Sequence, residues 1–534
     1  MAQGVDQAEN ATVHAACQQG ATPDRGESQW IFTRLGLDPV PSWSYCYADA
    51  VARQEQYPNC FGRGPVRGRT TYMRKSTQQT VTKQRASARQ TREQPVPLAV
   101  NSGRDRVPST EAVVPRSTKI LAVIVLVLIG LRLDLPLGIT VGYLAAAALI
   151  PLWLPTLGRY RGALTLVLIG FVAVGSGIWL SVLAEPTHVI AMSELAGNSI
   201  GLVGLLCSFG FVLWTRSVLP DSWVALWFGL GLLGSVTTDN ARFFDNPWRF
   251  GFSFALTVVI LAIAHILDRR WFDLLAVLGL TILSMVTDAR SSFAILLLTL
   301  ILVAWQMRPT SRFRYLRIRS GAGVVVALGV LAVVVYNLGQ AAIVAGLFGE
   351  ATRARTIDQL NTAGSLILGG RPELAATASL MAHQPYGFGA GTLLNPTDLL
   401  AAKTGMASIS YDPDNGYVEN YMFGGNIELH SVLGDLWARF GIPGVLLAVV
   451  ILFLVLRGVG AAVAANRASG ILLFLVVNTV WVFFFGPLYT AARLLILVLA
   501  LTLIPKGPEL PNPVRRRVAA LFPFGKSLKT VPRD

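Results

Sequence analysis

From Lys119 onward the chain reads as a succession of apolar runs, each broken by Gly, Pro or charged residues. The runs lie near 119–133, 136–154, 162–183, 198–215, 222–238, 251–267, 272–287, 291–307, 320–338, 431–456, 469–485 and 489–504. A helix that crosses hydrocarbon needs roughly 20 such residues. The first, seventh and twelfth runs are short by that measure, and 119–154 also reads as a hairpin broken at Asp134 and Pro136. The pattern predicts an all-α polytopic membrane protein with about twelve transmembrane helices. Residues 1–117 differ: they are rich in Gln, Thr, Arg, Ser and Pro without a sustained period, which predicts a disordered polar and basic tail. The predicted organisation is this tail, helices one to nine over 118–338, a long loop over 339–430, helices ten to twelve over 431–505, and a basic tail over 506–534. Within the loop, residues from Arg371 to about His383 read as an amphipathic helix.

Composition agrees. Of 534 residues 53% are hydrophobic and only 14% charged, against roughly a quarter charged in a soluble domain. A soluble enzyme is excluded. The net charge of +15 raises nucleic-acid binding, but no basic patch interleaved with aromatics falls on a foldable segment, so no nucleic acid is expected. Position explains the surplus better, because Lys and Arg in short loops stay on the cytoplasmic side. With the N-terminus inside, Arg159, Arg161, Arg216, Arg269, Arg270, the five arginines of 308–319, Arg457, Arg467 and Arg515–Arg517 all fall inside, and the loop at 339–430 falls outside. Both termini are expected in the cytoplasm of a cell, with the body in its inner membrane and the basic face against anionic lipids. The four cysteines show no disulfide or zinc spacing.

The informative charges are those on the other face: Arg242, Arg249, Arg290, Arg371 and Arg493. Pairing with Asp239, Asp245 and Asp288 accounts for any one of them. Several together point to a pyrophosphate or other polyanionic group, since arginine forks bind phosphate oxygens in pairs. After the loop helix come Pro385, Gly387, Gly389 and Gly391, a tight turn whose N–H groups can face a ligand oxygen or simply form a surface turn. His430 stands at the mouth of the tenth run with Glu428 before it and Asp435 after, and a histidine there can take a proton from an attacking hydroxyl. The stretch ISYDPDNGYVENY at 409–421 suits sugar hydroxyls and ring faces, or is a solvated loop.

Taken in order, these residues resemble the O-antigen ligase and polymerase superfamily of bacterial envelope glycan assembly. The resemblance rests on Arg242 with Asn246 and Pro247, then Ala289, Arg290 and Ser291, then Arg371 with Pro385, Gly387 and Gly389. His430 and Ser431, followed by Gly441, Ile442 and Gly444, complete it, and the whole covers about 120–505. It implies a GT-C-like membrane glycosyltransferase that needs neither a cofactor nor an obligatory metal. Such an enzyme moves a glycan from a polyprenyl-pyrophosphate donor (undecaprenyl pyrophosphate in bacteria) to a glycan or lipid-linked acceptor outside the cytoplasm. It further implies that Arg290 and Arg371 neutralise the pyrophosphate leaving group, with Arg242 as helper; Arg249 and Arg493 are expected, from their charge and place alone, to contact the pyrophosphate or the acceptor. His430 would activate the acceptor hydroxyl for inverting attack, oriented by Glu428 or Asp435. Val432 and Arg439 depart from the family pattern, so acceptor contacts are expected to differ.

Ligase and polymerase chemistry are not separated by these residues. A transporter or flippase of lipid-linked oligosaccharides is the alternative, and it calls for ionisable residues near the bilayer midplane. A non-catalytic envelope scaffold is a third reading, and it leaves the arginines and His430 scattered.

Overall fold

The computed structural model describes residues 114–239, 241–307, 321–346 and 349–507. The predicted tails therefore lie outside the described residues but for their inner edges, as do the arginines of 308–319. Among the described residues all regular structure is helical apart from isolated bridges. The helices are α1 (Arg116–Leu131), α2 (Val141–Ala148), α3 (Ile150–Leu157), α4 (Ala163–Ala184), α5 (Met192–Thr215), α6 (Asp221–Gly234), α7 (Ala241–Asp245), α8 (Ser253–Ile266), α9 (Arg270–Val286), α10 (Arg290–Gln306) and α11 (Gly321–Val344). The loop helices are α12 (Glu350–Ala363), α13 (Leu366–Gly370), α14 (Glu373–His383) and α15 (Pro396–Ala407), and the chain closes with α16 (Val432–Ala464), α17 (Gly470–Phe485) and α18 (Leu488–Thr502).

Each predicted apolar run is helical, but the spans differ in kind. Five helices are long and apolar enough to cross a membrane: Ala163–Ala184, Met192–Thr215, Trp248–Ile266, Val325–Val344 and Val432–Ala464. Arg290–Gln306, Gly470–Phe485 and Leu488–Thr502 are apolar but shorter. The run at 136–154 is not one helix, because Pro136 and Pro151 cannot donate to a helical ladder; it yields a short turn at Pro136–Gly138 and then α2 and α3. Conversely, α11 runs on to Val344, past the predicted loop boundary at 338.

Apolar packing holds the bundle. Phe209, Phe211, Phe228, Phe440 and Phe483 are fully buried, and α18 is covered along nearly its whole length. Close approach needs small residues: a Cβ on Gly130 would lie 2.4 Å from the Phe228 carbonyl oxygen, and one on Gly231 the same distance from that of Val127, so α1 and α6 touch backbone to backbone.

The helix ends gather into two rims. At one, Arg216 donates to the carbonyls of Ala500 and Leu503, Arg270 donates to that of Gln306, and the Arg161 N–H donates to Ile504. At the other, Arg132 donates to the Tyr489 carbonyl, Asn246 to that of Thr287 and Ser431 to that of Phe483. The long loop packs on this second rim, where the Ala191 N–H donates to Gly391 and the Leu393 N–H to Val189. The loop has its own small core, in which Leu380, Phe388, Met406, Met422 and Trp437 are buried.

Candidate functional site

At the loop-bearing rim Arg290, Arg355 and Arg371, from three separate segments, come near the guanidinium of Arg249. Arg249 lies in the turn Trp248–Phe252, which Asn246 and Trp248 tie to the end of α9: Asn246 donates to the Thr287 carbonyl and Trp248 Nε1 to Ser284 Oγ at 3.0 Å. That tie brings Arg249 to the α9–α10 turn. There Asp288 holds a left-handed backbone (φ 49°) and accepts from Arg290 Nε at 3.1 Å. The charges acting most strongly on the Arg249 guanidinium are those of Asp288, Arg290, Arg355 and Arg371. Arg290 opens α10, Arg355 lies in α12, and Arg371 ends α13. Three cations set against Arg249, with the carboxylates of Asp288 and Glu373 paired to them, make a site whose repulsion an anion would relieve.

Two of the predicted arginines stand apart. Arg242 is exposed on α7 and is not one of the charges acting most strongly on Arg249. Arg493 donates to the Gly130 carbonyl at 2.9 Å and to Ser235 Oγ, and its charged and phenolic neighbours are Arg132, Asp134, Tyr143 and Tyr489. Its side chain thus ties α18 to α1 and to the end of α6. Arg355 sits in no motif; the only hint in the chain is its place on a polar helix of the long loop.

His430 precedes α16 with φ 51°, and its neighbour Ser431 caps the helix by accepting from Gly434 N at 3.2 Å. The imidazole is buried, 8% exposed, and stacks on Tyr421 with centroids 4.6 Å apart and planes 19° apart. Its Nδ1 lies 3.1 Å from the Glu428 carbonyl oxygen. A carbonyl only accepts, so Nδ1 carries the proton, and in the neutral ring Nε2 keeps the lone pair. The two carboxylates expected to orient the ring do something else. Glu428 orients it with its main chain, while its side chain accepts from Asn426 at 3.2 Å. Asp435 is fully buried and accepts the Leu429 and Leu488 N–H groups at 2.8 and 2.7 Å, which fastens the approach to α16 and the start of α18.

Between the two groups lies the aromatic stretch at 409–421. Tyr411 and Tyr417 pack edge to face, and the Tyr417 and Tyr421 rings lie 4.8 Å apart. The Tyr417 hydroxyl donates to Glu373, a buried carboxylate whose Oε1 is 4.0 Å from Arg371. Arg371 and His430 are therefore joined through Glu373, Tyr417 and Tyr421. At the edge of this stretch Lys403 pairs with Asp414 at 2.9 Å and with Glu419, which push its amine up to about 12.

The glycine turn serves the fold. The Phe388 and Gly389 N–H groups donate to the Ala438 carbonyl, Ala390 N–H to that of Gly177, and Gly391 N–H to Ser181 Oγ at 3.0 Å. These amides bind α4 and α16 rather than face a ligand. Buried Arg439 donates to the Ile427 carbonyl at 2.6 Å and so steadies the segment leading to His430. Among the described residues no group of three or more His, Cys, Asp or Glu is placed to hold a metal ion.

Comparison with protein-family models, with curated proteins and with solved structures finds no match. The structure itself defines an all-helical protein with several helices suited to a membrane and a loop module seated on one rim.

Proposed function

We propose that this protein is a membrane glycosyltransferase. It would move a glycan from a polyprenyl-pyrophosphate donor to an acceptor sugar hydroxyl at the loop-bearing face, as an O-antigen ligase-like or polymerase-like enzyme of surface polysaccharide assembly. What carries the reading is the convergence of Arg290, Arg355 and Arg371 on Arg249 at the rim that also bears His430. In this reading the guanidinium groups take up charge as the bond from the anomeric carbon to phosphate breaks. His430 Nε2 accepts the proton of the attacking hydroxyl, and in-line attack inverts the anomeric centre. The loop-covered rim would face outward, and the short loops bearing Arg159, Arg161, Arg216, Arg269 and Arg270 would lie with both termini in the cytoplasm.

A transporter is less well supported. The buried acidic, basic and imidazole side chains among the described residues are Asp273, Glu373, Asp398, His430, Asp435 and Arg439, and each stands in the loop, at a rim or within about two turns of a helix start.

The test is transfer by the purified protein from a polyprenyl-pyrophosphate glycan to candidate acceptors, with Arg371→Ala and His430→Ala alongside. Transfer that both variants leave undiminished overturns the proposal.

A further inference from the structure

Glu373 holds a position that neither the arginines nor His430 explains. It stands in the first turn of α14, two residues after Arg371, and is only 4% exposed. Its Oε1 accepts from the Tyr417 hydroxyl and lies 4.0 Å from Arg371 NH1, while its Oε2 is buried with no hydrogen-bond partner. A buried carboxylate with one bare oxygen is costly to keep, so its charge leans on its neighbours at Oε1. Of those two, Arg371 is about a third exposed at its side chain and belongs to the group of cations around Arg249. The other, Tyr417, reaches His430 through rings: Tyr417 to Tyr421 at 4.8 Å with planes 42° apart, then Tyr421 to His430 at 4.6 Å with planes 19° apart.

We propose that Glu373 is a positioning residue that couples occupancy of the arginine site to the setting of His430. The inference rests on the anion-binding reading of those arginines. When an anion engages Arg371, the guanidinium turns part of its charge away from Oε1. The carboxylate then draws the Tyr417 hydroxyl more strongly, since hydrogen bonds in a low-dielectric setting polarise one another. The Tyr417 and Tyr421 rings pass the adjustment to the imidazole stacked on them. Binding of a diphosphate leaving group would thereby set the proton acceptor, so that the two halves of the site act together.

The test uses the full chain in lipid nanodiscs with isotope-labelled histidine. The protein has five histidines, and His430→Gln assigns the resonance of interest. Inorganic diphosphate is the probe, and two quantities are read: its affinity and the movement of the His430 imidazole resonances when it binds. In the wild type the resonances are expected to move on saturation. In Tyr417→Phe, which keeps the ring and loses the hydroxyl, diphosphate still binds but the movement is lost. Glu373→Gln is expected to bind diphosphate at least threefold more tightly, because a carboxylate that repels the anion has gone; a residue with a merely structural role would weaken binding or leave it unchanged. Full movement in Tyr417→Phe overturns the coupling, and so does a wild-type His430 that ignores bound diphosphate. In both of those cases the arginine site itself still stands. Absence of diphosphate binding in the wild type overturns the arginine reading and this inference with it.

Discussion

Gly387 and Gly441 stand backbone to backbone where the long loop crosses α16: a Cβ on Gly387 would lie 3.0 Å from the Gly441 Cα and 2.5 Å from the Trp437 carbonyl oxygen. Both take left-handed backbones, with φ of 86° and 65°. Gly441 thereby interrupts α16, and the Ala438 carbonyl just before the break accepts the Phe388 and Gly389 N–H groups instead. The crossing seats the loop, and with it the approach to His430, on the bundle. Gly387→Ala and Gly441→Ala are each expected to cost roughly 2–5 kcal/mol from the left-handed backbone and the clash together. Thermal melting of the purified variants, with limited proteolysis of residues 385–430, measures it.

The arginines divide into two functional groups. Arg249→Gln, Arg290→Gln, Arg355→Gln and Arg371→Gln are each expected to weaken diphosphate binding roughly tenfold or more, as loss of a charged hydrogen bond does. Arg493→Gln is expected to leave diphosphate affinity within about twofold, because its guanidinium is committed to Gly130 and Ser235. It should lower the melting temperature instead. An Arg493 variant that loses diphosphate and keeps its stability would contradict this division.

His430 and Asp435 should fail in different ways. His430→Gln is expected to reduce transfer by about 100-fold or more, the usual scale for a general base, with the fold intact. Asp435→Asn places an amide donor against at least one of the Leu429 and Leu488 N–H groups. A destabilisation of roughly 2–4 kcal/mol follows from a buried, mispaired group. Calorimetry beside a transfer assay separates the two.

Lys403 gives a pH dependence of definite sign. Its amine is pushed up from 10.5 to about 12 by Asp414 and Glu419. A group whose folded value lies above its unfolded one adds stability that is complete below the unfolded value and disappears as pH climbs through the folded one. The wild type should therefore lose a stabilising increment between about pH 10.5 and 12. Lys403→Met should lack that increment, as paired melting curves across the range will register.

Orientation is open to labelling. In a background with Cys17, Cys46, Cys60 and Cys207 replaced, Ser410→Cys in the loop module is expected to react with an impermeant maleimide from outside the cell. Ser217→Cys beside Arg216 at the opposite rim should react only after permeabilisation; both positions are exposed. The reverse result would place the catalytic proposal on the wrong side of the membrane.

Much of the architecture could be read directly from the chain. A run of apolar residues long enough to be costly in water must become a helix in lipid or in a core, so every predicted run is helical, and the breaks fall where Pro136 and Pro151 remove N–H donors. The loop helix from Glu373 to His383 and the cap at Ser431 were likewise local matters. Partnership through space was not. Arg355 acts on Arg249 and Arg493 turns to Gly130 because folding brings distant segments together, and a guanidinium binds whichever carbonyl or charge stands within reach. The glycines of 387–391, equally suited by sequence to a ligand or to a turn, were committed by the carbonyls of Ala438 and Gly177 that lie opposite them. Hydropathy is a property of a segment and survives being read alone; a hydrogen bond or an ion pair belongs to two residues, and only the fold decides which two.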